Sequence, residues 1–143
     1  MTSAQIQKGY LLWVMLNPST ADAEVDDATI RRCKSFTTRF GFREMVVVNL
    51  YAYRATDPAE LLTVEDPVGA ENDAWLYEAA RRASRVVLGW GGSADPARAR
   101  AVAEILTVDN PVLYCLGTNK DGSPRHPLYL GRNTPLEFWE VPK

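Results

Sequence analysis

The sequence is poor in the residues that build most metal and covalent sites. Its 143 residues include one histidine, His126, and two cysteines, Cys33 and Cys115. That stock excludes zinc sites of the Cys₄ or Cys₂His₂ type. Both cysteines stand at apolar positions of expected elements, where small buried thiols are the ordinary reading. No apolar run reaches the roughly 18 residues of a membrane-crossing helix, and the first residues lack a secretory pattern. A soluble, cytoplasmic protein with no membrane partner is the expectation. Charge of one sign is also lacking: 16 Lys and Arg stand against 18 Asp and Glu. This balance argues against a large non-specific nucleic-acid surface but leaves room for a local basic patch. Repeats, linkers and low-complexity stretches are absent too. The length allows one α/β domain with a real core, 1–143, with a loose lead-in at 1–9 and an edge strand or docked tail at 135–143.

What is present is a set of apolar runs that stop abruptly. Tyr10 to Leu16 is nearly continuous in apolar residues and ends at Asn17-Pro18-Ser19-Thr20. Such a run reads as a strand buried on both faces, as inside a parallel sheet. Pro18 cannot donate to a ladder and holds Asn17 extended, so the strand ends there. Met45 to Leu50, Arg85 to Trp90 and Val112 to Leu116 read as three further strands. Between them, Ile30, Cys33, Phe36 and Phe40 recur at helical spacing, with Asp26 or Asp27 as N-cap and Gly41 as terminator. Asp57-Pro58, Asp66-Pro67 and Asp95-Pro96 each read as a helix start. The longer helix after Pro67 has Ala70, Trp75, Leu76, Ala79 and Ala80 as its expected core side. Alternating strands and helices predict a three-layer α/β/α sandwich with a central four-stranded parallel sheet.

In such a sheet all strand C-termini share one rim, where ligands bind. Asn17, Asn49, Trp90-Gly91-Gly92 and the loop Gly117–Pro127 should therefore converge. Each feature also has a plainer reading. Asn17-Pro18 and Asn49 are common turn formers. His126 is a lone loop histidine between Pro124 and Pro127. Gly89-Trp90-Gly91-Gly92 lacks the phosphate-loop pattern Gly-x-x-x-x-Gly-Lys-Ser/Thr, and no cofactor is expected. Asp22, Asp26 and Asp27 suit either helix capping or Mg²⁺, the latter implying a phosphoesterase. Arg31, Arg32, Lys34 and Arg39 form a solvated helix face, or one suited to phosphates if it turns toward the rim.

The run Leu16-Asn17-Pro18-Ser19-Thr20-Ala21-Asp22, Asp27 to Arg32, Val48-Asn49-Leu50-Tyr51, Arg54 to Pro58 and His126-Pro127-Leu128-Tyr129 resemble the domain of unknown function 1643 family, over nearly the whole chain. That resemblance implies no activity. Asn17-Pro18, Val46-Val47-Val48-Asn49, Val87-Leu88-Gly89-Trp90-Gly91 and His126-Pro127 are similar, more distantly, to motifs of the uracil-DNA glycosylase-like superfamily. The sequence departs from it where Met15-Leu16 stand for a glycine and Leu128 for a serine. This resemblance implies that Asn17 positions a water, Asn49 reads a base edge and His126 stabilises the leaving base. Asn17 and His126 are then the catalytic candidates, and Pro18, Ser19, Asn49, Tyr51, Trp90, Gly91 and Arg125 line the substrate. The implied reaction is hydrolysis of an N-glycosidic bond in a nucleobase-bearing ligand, nucleoside or nucleic acid. A non-catalytic nucleotide- or nucleic-acid-binding module is the alternative.

Overall fold

The computed structural model describes residues 7–16, 23–51, 69, 71–110 and 112–141. In chain order the elements are β1 (Gln7–Met15), α1 (Ala23–Arg39), β2 (Phe42–Asn49), α2 (Asn72–Arg82), β3 (Arg85–Leu88), α3 (Pro96–Leu106), β4 (Tyr114–Cys115) and β5 (Glu137–Phe138). A single 3-10 turn covers Pro127–Tyr129. The helix starts expected at Asp57 and Asp66 lie outside the described residues.

The strands form one sheet in the order β2-β1-β3-β4-β5. β1 pairs in parallel with β2, Met15 opposite Asn49, and with β3, Val14 opposite Leu88. β3 and β4 are also parallel, whereas β4 and β5 run antiparallel, Tyr114 opposite Phe138. The expected four-stranded, purely parallel sheet of a uracil-DNA glycosylase-like sandwich is therefore corrected to a five-stranded mixed sheet. The reason lies in the connections. A parallel neighbour needs a crossover that carries the chain back to the starting end. The chain after β4 has only the 3-10 turn, so it turns at the edge and returns in the opposite sense.

The inner strand explains why β1 is apolar throughout. Leu11 to Val14 are fully buried and Met15 nearly so. Leu12 and Val14 pack with Leu76 and Ala80 of α2 and with Val102 and Leu106 of α3. Leu11, Trp13 and Met15 pack on the other face against Cys33 and Phe36 of α1. Full burial of each such side chain stabilises the fold by about 1.5–3 kcal/mol. Trp13 is accommodated because its Nε1 donates to Thr37 Oγ1 at 2.9 Å, and that hydroxyl donates to the Cys33 carbonyl at 2.7 Å. No polar atom of this pair is left unsatisfied in the core.

Two helix faces differ from expectation. Trp75 is 54% exposed, while Leu76, Ala79 and Ala80 are buried. Leu76 leads the i, i+3, i+4 stripe, and the adjacent Trp75 is turned about 100° away from it. Ile30 is 37% exposed for the same reason: Cys33, Phe36 and Thr37 take the buried side of α1. α3 begins as expected, with Pro96 in its first turn and the Asp95 carboxylate accepting from the Arg98 amide at 3.3 Å.

Candidate functional site at the carboxyl edge of the sheet

Asn17, Pro18 and Ser19 lie outside the described residues, as does Asp22. The strand leading to them is fixed to its neighbour at the rim. The Leu50 amide donates to the Met15 carbonyl at 2.9 Å, and the Tyr51 amide donates to the Leu16 carbonyl at 3.2 Å. On the other side the Gly89 amide donates to the Val14 carbonyl at 2.9 Å. β2, β1 and β3 thus end level.

Strand alternation then divides the expected site between two faces. Trp90 follows Leu88 onto the α2/α3 side, where it is buried and meets Trp139 edge-on, 5.7 Å between ring centres. Gly89 and Gly91 face the α1 side. A Cβ built on Gly89 would lie 3.0 Å from Met15 Sδ and 3.1 Å from Pro127 Cδ, and one on Gly91 would lie 3.6 Å from His126 Cβ. Glycine at 89 lets Pro127 lie directly on the strand end, and glycine at 91 suits its φ of +81°. The Gly91 amide donates to the Pro124 carbonyl at 3.0 Å, which pins the loop there. Asn49 pairs with Met15, so alternation assigns it to the same α1 side as His126. Two strand spacings, about 10 Å, separate Asn49 from Gly89.

His126 is held in place on that side. It caps the 3-10 turn, and the Leu128 amide donates to its Nδ1 at 3.1 Å. An Nδ1 that accepts carries no proton, so Nε2 is the protonated nitrogen of the neutral ring. Burial pushes the imidazole pKa down from 6.5, which favours this neutral form further. The result is a neutral hydrogen-bond donor of defined tautomer at the end of β3.

The remaining candidates have structural duties. Tyr51 is buried on the α2/α3 side, where burial pushes its phenol up; its oxygen accepts from the Asp95 backbone, and the Asp95 and Arg98 charges act in opposite directions. Arg125 is exposed. Its Nε donates to the Thr118 carbonyl at 3.2 Å and its amide to the Gly117 carbonyl at 3.0 Å, closing its own loop. Trp90 lines a recess of about 140 Å³ with Trp139, rimmed by Arg100, Asp121 and Ser123. Asp27 is exposed on α1, and no group of three His, Cys, Asp or Glu converges among the described residues.

Arg98 escaped the sequence reading. It is buried, and its Nε and Nη2 donate to the Leu50 carbonyl at 2.9 and 2.7 Å. Nη2 also reaches Asp73 Oδ1 at 2.8 Å, a carboxylate that remains 55% exposed. Asn72 Nδ2 donates to the Asn49 and Leu50 carbonyls at 2.9 and 3.2 Å. These groups satisfy the end of β2, where ladder partners run out. The signal was available: Arg98, Val102 and Leu106 share one i, i+4 row, and the last two are core residues.

The chain belongs to the family described as "Protein of unknown function (DUF1643)", which it matches over residues 2–128. No curated protein matches it, and no solved structure does. Among the described residues, no helix is long and apolar enough to cross a membrane.

Proposed function

We propose that this DUF1643 member recognises a nucleobase on the α1 side of the carboxyl edge and hydrolyses its N-glycosidic bond. The observation that carries this reading is His126, whose Nδ1 accepts from the Leu128 amide and whose pKa is lowered by burial. In the hydrolysis, a water oxygen bonds to the anomeric carbon, the carbon–nitrogen bond breaks, its electron pair leaves on the base, and the proton that the water gives up ends, through solvent, on the departed base. The neutral His126 donor suits the negative charge that builds on a base oxygen. Asn49 offers an amide donor and acceptor on the same side, fitted to a pyrimidine edge. Asn17, which follows Leu16 in the sequence, is assigned the carbonyl that orients the water. An amide is no base, so the rate rests on positioning and electrostatics. The likeness of these motifs to those of the uracil-DNA glycosylase superfamily adds support. The substrate class is a nucleoside or nucleic acid, and the setting is the cytoplasm, where the unpaired thiols of Cys33 and Cys115 fit a reducing compartment.

A recognition module without turnover is the second reading. Leu128, standing where the resembled motif has a serine, favours it. One experiment separates the two. Single-stranded DNA, mismatched DNA and free nucleosides are incubated with the protein and assayed for both binding and released base. Release that disappears in Asn17→Ala and His126→Ala supports hydrolysis. Binding without release supports the module. Neither binding nor release removes both.

A further inference from the structure

Arg32 and Arg39 stand on α1, and Arg132 stands in the loop after the 3-10 turn. With Ser35 and Phe36 they line one surface pocket of about 360 Å³. Seven residues separate the two helical arginines, so the pocket runs along about 10 Å of α1. Arg39 is held in place. Its Nη1 and Nη2 donate to the Thr134 and Asn133 carbonyls at 2.6 and 3.2 Å, and its guanidinium lies 5.2 Å from the Phe40 ring centre. That fastening draws the 131–134 loop, and Arg132 with it, against the helix.

The charge in this pocket is unbalanced. The chain has more acidic than basic residues, yet among the described residues neither Asp nor Glu contributes to the lining. None of the three arginines forms an ion pair with a described residue. Converging guanidinium groups repel one another, and an anion between them relieves that cost through charge-assisted hydrogen bonds. Guanidinium forks match phosphate oxygens in particular, and Ser35 adds a hydroxyl. We infer that the pocket formed by Arg32, Ser35, Arg39 and Arg132 binds phosphate groups. Two turns of helix leave room for more than one of them, so free phosphate and a phosphodiester strand share the chemistry. The inference goes beyond the reading of His126 and does not rest on it.

The test uses probes that carry no base: a short abasic single-stranded oligonucleotide labelled with a dye, and inorganic phosphate as competitor. The main variant is the double substitution R32Q/R132Q, which leaves Arg39 to hold the loop. R82Q on α2, across the sheet, is the control. We expect the double variant to weaken strand binding about tenfold at low salt and to flatten the slope of log K against log salt by about 1.4, roughly 0.7 for each lost contact. R82Q should bind as the wild type does. Inorganic phosphate displacing the strand from the wild type identifies a site for isolated phosphate. Strand binding that resists displacement identifies a phosphodiester chain as the ligand. Both sustain the inference. If the double variant has an altered melting temperature, R132Q alone, changed only in a loop, is read instead. Binding unchanged by the substitutions, or no binding of either probe at low salt, overturns the inference. Failure of base release leaves it standing.

Discussion

The two sides of the sheet's carboxyl edge use polar residues in opposite ways. On the α2/α3 side the buried polar groups named above are tied into the fold. Arg98 and Asn72 hold the Leu50 carbonyl, and the Trp139 indole donates to the Gly122 carbonyl at 3.0 Å. On the α1 side the protein positions polar groups and leaves them with spare capacity. His126 is bonded through Nδ1, with Nε2 left as a donor, and Arg32 and Arg132 face a pocket that no carboxylate lines among the described residues. The comparison teaches that burial alone does not mark a site: Arg98 is more buried than Asn49 or His126 yet serves as a clamp. It predicts that substituting the fastened polar groups of the first side costs stability, whereas substituting the presented ones of the second costs little and bears on the proposed function.

The largest effect should come from Trp139→Ala. The ring is 7% exposed, closes the core over Trp90 and anchors the chain after β5 through its own amide to the Leu113 carbonyl. Removing a buried aromatic side chain costs about 3–4 kcal/mol, which urea unfolding would read as a lower midpoint. A loss under about 1 kcal/mol would mean that the tail is only laid on the surface, as for an exposed substitution. Next is Arg98→Met, which keeps the apolar stem and removes the fork. The Leu50 carbonyl would keep only Asn72, and we expect a loss of about 2 kcal/mol. Arg98→Lys should recover little, because an ammonium cannot reproduce the two-pronged contact. Asp73→Asn should cost much less, since that carboxylate is largely solvated. If Asp73→Asn were as damaging as Arg98→Met, the ion pair rather than the carbonyl clamp would hold this end of β2. Smaller again is Gly91→Ala. The left-handed φ of +81° makes any side chain unfavourable, by about 1 kcal/mol. The added methyl would meet His126 Cβ at an ordinary 3.6 Å contact, so the cost should come from the backbone alone.

The order of the elements was legible because strands buried on both faces are written as continuous apolar runs and helices as interrupted ones. The same property hid the division of the site. When both faces of a strand are apolar, Trp90 and Gly91 read as one loop, and only the packing partners reveal that they point to opposite sides. Asn49 was singled out by its place at a strand end and His126 by the resemblance of His126-Pro127, but the bond from the Leu128 amide needs the turn's backbone and has no sequence signature. Arg98 sits in Pro96-Ala97-Arg98-Ala99-Arg100, where two arginines look equally solvated; its row with Val102 and Leu106 was the overlooked clue. β5 is too short, at two residues, to show a direction in its pattern.

The finest test of the comparison is the pH dependence of stability at His126. Because burial lowers its pKa below 6.5, the folded chain holds fewer protons at this site than the unfolded chain just below that pH. Stability then falls as pH falls, and this contribution is fully present only above 6.5, where both states are neutral. Protonation would also take the lone pair that accepts from the Leu128 amide. Asparagine is the informative replacement, because a side-chain oxygen at the capping position can accept from the same amide without titrating. His126→Asn should therefore match the wild type in urea midpoint above pH 6.5 and lose less stability below it. Parallel curves for the two proteins would show that the imidazole protonates as readily in the fold as out of it. That outcome would remove the neutral donor from the α1 side, and with it the contrast between a side that fastens its polar groups and one that presents them.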